Sequence, residues 1–341
     1  MITTRRLHFQ SLLRPRFERA EDVVEWLGAV QAQDYQGARW AVAQRTVGGH
    51  GTGLDQALNA GTILRTHVLR PTWHLVPARD LRWMLALTAA RIRPTLKSQA
   101  RFCGVTDDMT TRAKRIIAKA LAGGQYMTRA ELGTVVPHRT MALGHVIMHA
   151  ELDGIICSGP LKGNQHTYGL LDARVPTHRV LDREEALALL AWRYFRSHGP
   201  ATLKDFVWWS GLSTIDAKLG IANARGLVSE TIGGMTYWLS DKPVAAAPRG
   251  RLHLLPNFDE FLVAYADRTA SYSGSDNNLA LANTVVLDGR VVGTWKRTFK
   301  GQEVRLQMRL FGTVARAAKA AIGAQVERFG TFLGREASFQ L

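Results

Sequence analysis

Two carboxamides one residue apart, Gln31 and Gln33, close an amphipathic segment and are followed by Asp34. Val23, Val24, Leu27 and Val30 form an apolar stripe at helical spacing, which predicts a helix over residues 20–30. If that helix ran on, about 100° per residue would put the glutamines on opposite flanks of the stripe. If it ends near Val30, residues two apart in an extended segment point the same way, and both amides face one cavity. Burying an amide without partners costs about 1 to 3 kcal/mol, so two of them beside an apolar run require an explanation. An amide donates and accepts hydrogen bonds but is a poor base, which limits the pair to orienting chemistry. A plainer arrangement bonds both glutamines to neighbouring backbone while Asp34 caps the next helix. Asp34 is alternatively a carboxylate base.

A second cluster is Arg70, Trp73 and His74. On a strand, Arg70 and His74 share a face and Trp73 takes the other. Either Trp73 is core with a bonded His74 beneath a hairpin, or Arg70 and His74 belong to the reactive site. Other patterns fail. His145 and His149 lie one helical turn apart, but Cys103 and Cys157 have no metal spacing, so no metal and no cofactor are expected. The glycine-rich run at 48–53 lacks the Lys-Ser/Thr ending of a phosphate loop. Trp192, Tyr194, Trp208 and Trp209 sit at helical positions suited to packing.

The elements that must position these residues recur in one order: helix, short helix behind a Ser/Thr/Pro cue, third helix, β-hairpin. That is the order of a winged helix-turn-helix. In the first pass the helices are expected at 20–30, 37–45 and 54–60, with strands at 63–69 and 72–76. A long helix at 77–100 follows. In the second, helix 111–122 precedes Thr128 and Glu131, spaced as a capping box, and Pro137 closes the short helix. Helix 141–152 and a hairpin of 154–157 with 166–170 complete it. In the third, helix 188–197 is followed by Thr202 capping 203–209, Ser213 capping 214–224, and a hairpin over 227–239 turning at Gly233-Gly234. After a linker at 241–250 the pattern changes to strands 252–255, 284–287, 291–295 and 303–310, then a helix at 313–329. The expected fold is α+β: three tandem winged helix-turn-helix units at 1–100, 101–176 and 177–243, and a C-terminal β-barrel-like unit with a terminal helix at 244–341.

Forty-four Lys and Arg against twenty-eight Asp and Glu leave a net charge of +16 in 341 residues, with a pI near 10.4. Winged helices with that charge point to DNA. Two cysteines in different units give no disulfide framework, and no stretch is apolar for the roughly 18 residues a membrane span requires. A cytoplasmic, nucleoid-associated protein without a membrane partner is expected. Phosphate contacts are expected from Lys162, Asn164 and Gln165 on the second hairpin, from Arg112, Lys114 and Arg115, and from Lys296, Arg297 and Lys300, each of which alone is also an ordinary surface residue.

Four stretches carry a family resemblance: 30–34 (VQAQD), 69–77 (LRPTWHLVP), 255–262 (LPNFDEFL) and 292–295 (VGTW). Together, over nearly the whole chain, they resemble the winged-helix DNA glycosylases of the AlkZ/YcaQ type. The resemblance implies that Gln31 and Gln33 line the catalytic channel and position the hydrolytic water, that Gln33, in place of Asp, sets the chain in the AlkZ-like branch, and that Asp259 either supports the same channel or closes a loop over Asn257. It also implies double-stranded DNA carrying alkylated purines as substrate. An N7- or N3-alkylated purine is cationic and departs neutral, so it needs no general acid, and an amide oxygen suffices to hold the water. No lysine lies in the Gln-x-Gln segment to form a Schiff base, so a monofunctional, monomeric enzyme is expected. The competing class is a non-catalytic tandem winged-helix regulator, which leaves the two glutamines without a role.

Overall fold

The computed structural model describes residues 2–49, 51–136, 140–240, 249–274, 279, 281–312 and 316–341. Pro137, residues 241–248 of the expected linker and 313–315 at the start of the last helix lie outside them. The chain is mixed α and β, and the element order repeats three times.

The first pass contains α1 (Ile2–Phe9), α2 (Ala20–Leu27), β1 (Val30–Gln31), α3 (Tyr35–Ala43), α4 (Gly53–Ala60), β2 (Ile63–His67) and β3 (Trp73–Pro77). Val23, Val24 and Leu27 are fully buried, as the stripe requires. The helix stops earlier than expected because Gly28 takes φ +83°, a conformation that ends it and turns the chain into β1. The helical stretch expected over 77–100, with its end at Arg93-Pro94, breaks at that point. It becomes α5 (Leu81–Ile92), a tight turn through Arg93–Leu96, and α6 (Lys97–Cys103). Pro94 has no amide N–H to continue the ladder.

The second pass contains α7 (Asp107–Ala120), β4 (Met127–Thr128), α8 (Arg129–Val135), α9 (Thr140–Leu152), β5 (Ile156–Ser158) and β6 (Thr167–Leu170). Thr128 and Glu131 form the expected capping box. After α10 (Leu171–Arg174), the third contains α11 (Arg183–His198), α12 (Leu203–Ser210), α13 (Thr214–Asn223), β7 (Leu227–Ile232) and β8 (Met235–Ser240). Thr202 and Ser213 cap α12 and α13 as expected.

All three passes share a detail. A short extended piece ahead of the second helix pairs antiparallel with the second strand of the hairpin: β1 with β3, β4 with β6, and Ala201 with Trp238 of β8. Gln31 therefore occupies a position fixed by the repeat itself.

The C-terminal part comprises β9 (Leu252–Leu255), α14 (Glu260–Val263), β10 (Thr284–Leu287), β11 (Arg290–Lys300), β12 (Glu303–Leu310), α15 (Arg316–Leu333) and β13 (Glu336–Gln340). Its sheet runs in the order β13-β12-β11-β10-β9, with β13 parallel to β12. Among the described residues β9 and β13 are edges, so the sheet is open. It is joined to the first pass by Trp40 of α3, which packs on Phe329 and Phe332 and donates its indole N–H to the Leu254 carbonyl at 2.6 Å.

Candidate active site

Gln31 is the middle of a buried polar cluster assembled from four parts of the chain. Its backbone N–H donates to Glu260 Oε1 at 2.8 Å. Its side-chain Oε1 accepts from Arg70 Nη2 at 2.9 Å. Glu260, 1% exposed, also accepts from the Trp209 indole N–H at 3.0 Å and lies 3.4 Å from His198 Nε2. Burial opposes the charge on Glu260, but the His198 contact, the Arg70 charge and the Gln31 N–H together hold its carboxyl below the ordinary value. Burial also lowers Arg70, and the Glu260 charge counters that.

Arg70 reaches this place from a turn, not from the strand expected for it. Leu69 has φ +64°, and Arg70 N–H bonds back to Val68 O at 2.7 Å. Gly211 touches that turn so closely that a Cβ there would lie 2.1 Å from Leu69 O, so a side chain at 211 would displace Arg70.

His74 stands directly opposite Gln31 across the β1/β3 ladder and opposite Thr66 on the other side. The three side chains share one face. Burial, reinforced by the Arg70 charge, pushes His74 down to about 3. The ring is neutral at physiological pH. With Nδ1 donating to Thr72 O at 2.9 Å, Nε2 is a buried acceptor without a partner among the described residues. His74 therefore has no proton to give, and neither has ionised Glu260.

Gln33 lies beyond β1 and is exposed. Its Oε1 accepts from Trp73 N at 3.3 Å. In both glutamines it is thus the amide oxygen that the protein holds. Each oxygen has a second lone pair, and neither Nε2 has a partner among the described residues. Trp73, whose N–H donates to Gln33, helps wall a cavity of about 750 Å³ between the first two passes, together with Arg65, His166 and Tyr168. Arg65 ties it to the motif by donating to the Ala32 carbonyl at 3.0 Å.

The remaining expected residues divide. Asp34 caps α3, accepting from Gly37 N at 3.1 Å, and its other oxygen lies 3.7 Å from Arg297, which brings β11 alongside the motif. Asp259 is not in the cluster: its two oxygens are taken by Arg45 at 2.8 and 2.9 Å, and it caps α14. The next residue, Glu260, is the one that faces Gln31, and one position along a chain entering a helix turns a side chain to a different face. Lys162, Asn164 and Gln165 are exposed on the β5/β6 hairpin, with Lys162 paired to Glu131. Arg112 and Arg115 are exposed on α7, while Lys114 is held by Asp153. Lys296 and Lys300 are exposed on β11. Trp209 and Tyr194 are core, as expected, but Trp208 is 47% exposed. Sequence reasoning missed Glu260 as the partner of the Gln31 N–H and Trp209 as a donor to Glu260. The acid within the apolar run of residues 254–263 was the available signal, since a buried carboxylate must have donors.

A sequence model of the AlkZ-like DNA glycosylases matches residues 24–332. The chain belongs to that family. The interstrand DNA cross-link repair glycosylase of Streptomyces sahachiroi is 27% identical over 315 residues, covering 84% of this chain and 85% of that protein. The structure of Streptomyces sahachiroi DNA glycosylase AlkZ superposes with a TM-score of 0.78 at 23% identity, over 99% of this chain and 97% of that one, which establishes a shared fold. As an AlkZ-like DNA glycosylase the chain is an enzyme, and the non-catalytic regulator is set aside. Among the described residues no group of three metal-binding side chains occurs, and no helix is long and apolar enough to cross a membrane.

Proposed function

We propose that this AlkZ-like enzyme hydrolyses the N-glycosidic bond of cationic alkylated purines in duplex DNA, N7-alkylguanine above all, including bulky adducts and interstrand cross-links. The name of the Streptomyces relative supports the last of these. The observation that carries the reading is the fixed Gln31, with oxygen and backbone N–H both anchored and with a neutral His74 directly opposite it.

Gln31 and Gln33 each keep one amide-oxygen lone pair. A water donating one hydrogen to each oxygen is left with its own lone pair directed at C1′. As the C1′–N bond breaks, its electron pair passes to the ring nitrogen and neutralises the base. The water oxygen bonds to C1′, and its surplus proton is lost to solvent. No protonation of the leaving group is required, which matches a neutral His74 and an ionised Glu260. The Arg70 charge beside Gln31 works against a developing oxocarbenium ion, and the Glu260 carboxylate offsets it.

The three repeats are winged helices, the exposed cations of α7, β11 and the β5/β6 hairpin neutralise phosphates, and the enzyme works as a monomer on cytoplasmic DNA. The shared strand-to-hairpin pairing and the charge of +16 support this.

The test uses duplexes containing N7-methylguanine, a bulky N7-guanine adduct or a cross-link through guanine N7, with a uracil duplex as control. Free base and abasic sites are expected from the first three and not from uracil. Release of uracil at a comparable rate refutes the mechanism, and absence of any released base refutes the function.

A further inference from the structure

Trp208 on α12 is the largest exposed aromatic side chain among the described residues, and Arg70 links it to Gln31. Its indole N–H donates to the Val263 carbonyl at 3.0 Å, so the ring is fixed and its polar atom is already used. What remains is apolar ring surface in water, 47% exposed. The Arg70 guanidinium lies 5.8 Å from the ring centroid, and Arg70 is the residue bonded to Gln31 Oε1. Arg268 lies 5.7 Å away on its own tether, donating to Leu262 O at 2.9 Å. Both cations have countercharges, Glu260 for Arg70 and Asp205 for Arg268. The protein thus leaves indole surface in water beside two charge-compensated guanidiniums, one of them bonded to Gln31. Packing does not account for it, since the adjacent Trp209 already fills the core position.

We propose that the open indole face of Trp208 is the platform on which the cationic base of the lesion stacks while Gln31 and Gln33 hold the water. The inference rests on the glycosylase reading and deepens it. An alkylated purine is flat and positively charged, and an indole face attracts such a ring by stacking and by its quadrupole. The platform selects lesions by charge, before any bond is broken.

The test separates binding from hydrolysis. Duplexes carrying 2′-fluoro N7-methylguanine, cationic and resistant to hydrolysis, are compared with duplexes carrying 7-deaza-7-methylguanine, of the same shape but neutral. The full-length protein is expected to bind the cationic duplex more tightly by roughly 2- to 30-fold, the range of a cation on an aromatic face. Trp208→Leu is expected to bring that ratio to about one, and Trp208→Phe to keep part of it, a graded response that loss of fold does not produce. Thermal melting of both variants checks that they fold, and exposure of the side chain favours it. A ratio near one in the unaltered protein, or a ratio that Trp208→Leu leaves intact, overturns the proposal. Base release from N7-methylguanine DNA is measured in parallel. Release without a Trp208-dependent ratio removes the platform and keeps the glycosylase, whereas a Trp208-dependent ratio without release keeps the platform and removes the hydrolytic reading.

Discussion

Glu260→Gln tests whether the buried carboxylate holds β1, the strand that carries the proposed water-binding Gln31. In the native cluster two oxygens serve two donors, Gln31 N–H at 2.8 Å and Trp209 Nε1–H at 3.0 Å. A carboxamide of the same shape has one oxygen and one NH₂. Whichever donor faces the NH₂ loses its acceptor and meets another donor in a site 1% exposed. A hydrogen bond to a charged group contributes about 1.5 to 3 kcal/mol, and the substitution removes one outright and weakens the other. Removal of the negative charge also leaves Arg70 without its countercharge beside Gln31. For a cooperative unit of roughly 150–250 residues, 1 kcal/mol moves Tm by roughly 2–4 °C, so a drop of about 3–12 °C is expected. The rate constant for base release should fall by about 10-fold or more in single-turnover assays at saturating enzyme, where DNA affinity does not enter. Because the Glu260 carboxyl is held below its ordinary value of 4.5, its stabilisation is complete above that pH and is lost as pH falls through the lower folded value. The gap in Tm between the two proteins should be constant at neutral pH and shrink below about 4.5. A variant that melts with the native protein and releases base at the native rate refutes the positioning argument.

Three further outcomes are expected. Gln31→Ala combined with Gln33→Ala should reduce release of N7-methylguanine by roughly 10²-fold or more with little change in duplex affinity, measured by single-turnover kinetics and gel shift. Asp259→Asn or Arg45→Met should cost about 3 to 5 kcal/mol, seen as a loss in urea midpoint, because each leaves its partner charge buried, while the protein that remains folded keeps the native release rate. His74 and His253, both fully buried and held down at about 3, bind protons in the unfolded chain from about 6.5 but not in the folded one. Stability should therefore fall on acidification from about pH 6.5 toward 3, each histidine contributing up to about 1.4 kcal/mol per pH unit. His74→Asn should flatten the slope in a pH series of melts.

Local signals in the sequence located most elements because capping is a local interaction. Thr128, Thr202 and Ser213 accept from N–H groups three residues ahead, and their helices start where those residues predict. The strands 252–255, 284–287 and 303–310 were equally legible from short apolar or alternating runs. What could not be read depends on distant partners. β13 is a strand only because β12 offers it a parallel edge across α15. Arg70 leaves the strand face because Gly211 and Leu69 define a turn whose contact spans far-apart parts of the chain. At the site, Gln31, Arg70 and His74 were recognisable by type and order. The choice of Glu260 over Asp259 was not, since adjacent acids in one motif differ only in the face to which they turn.

β1 is two residues long and borrows its geometry from residues about 40 and 230 positions further along the sequence. A ribosome that has made only the first two repeats has made both glutamines, yet Gln31 still lacks the acceptor for its amide hydrogen. On the mechanism proposed above, a fragment terminated before residue 260 should therefore reach DNA without releasing base, because Gln31 is not yet held.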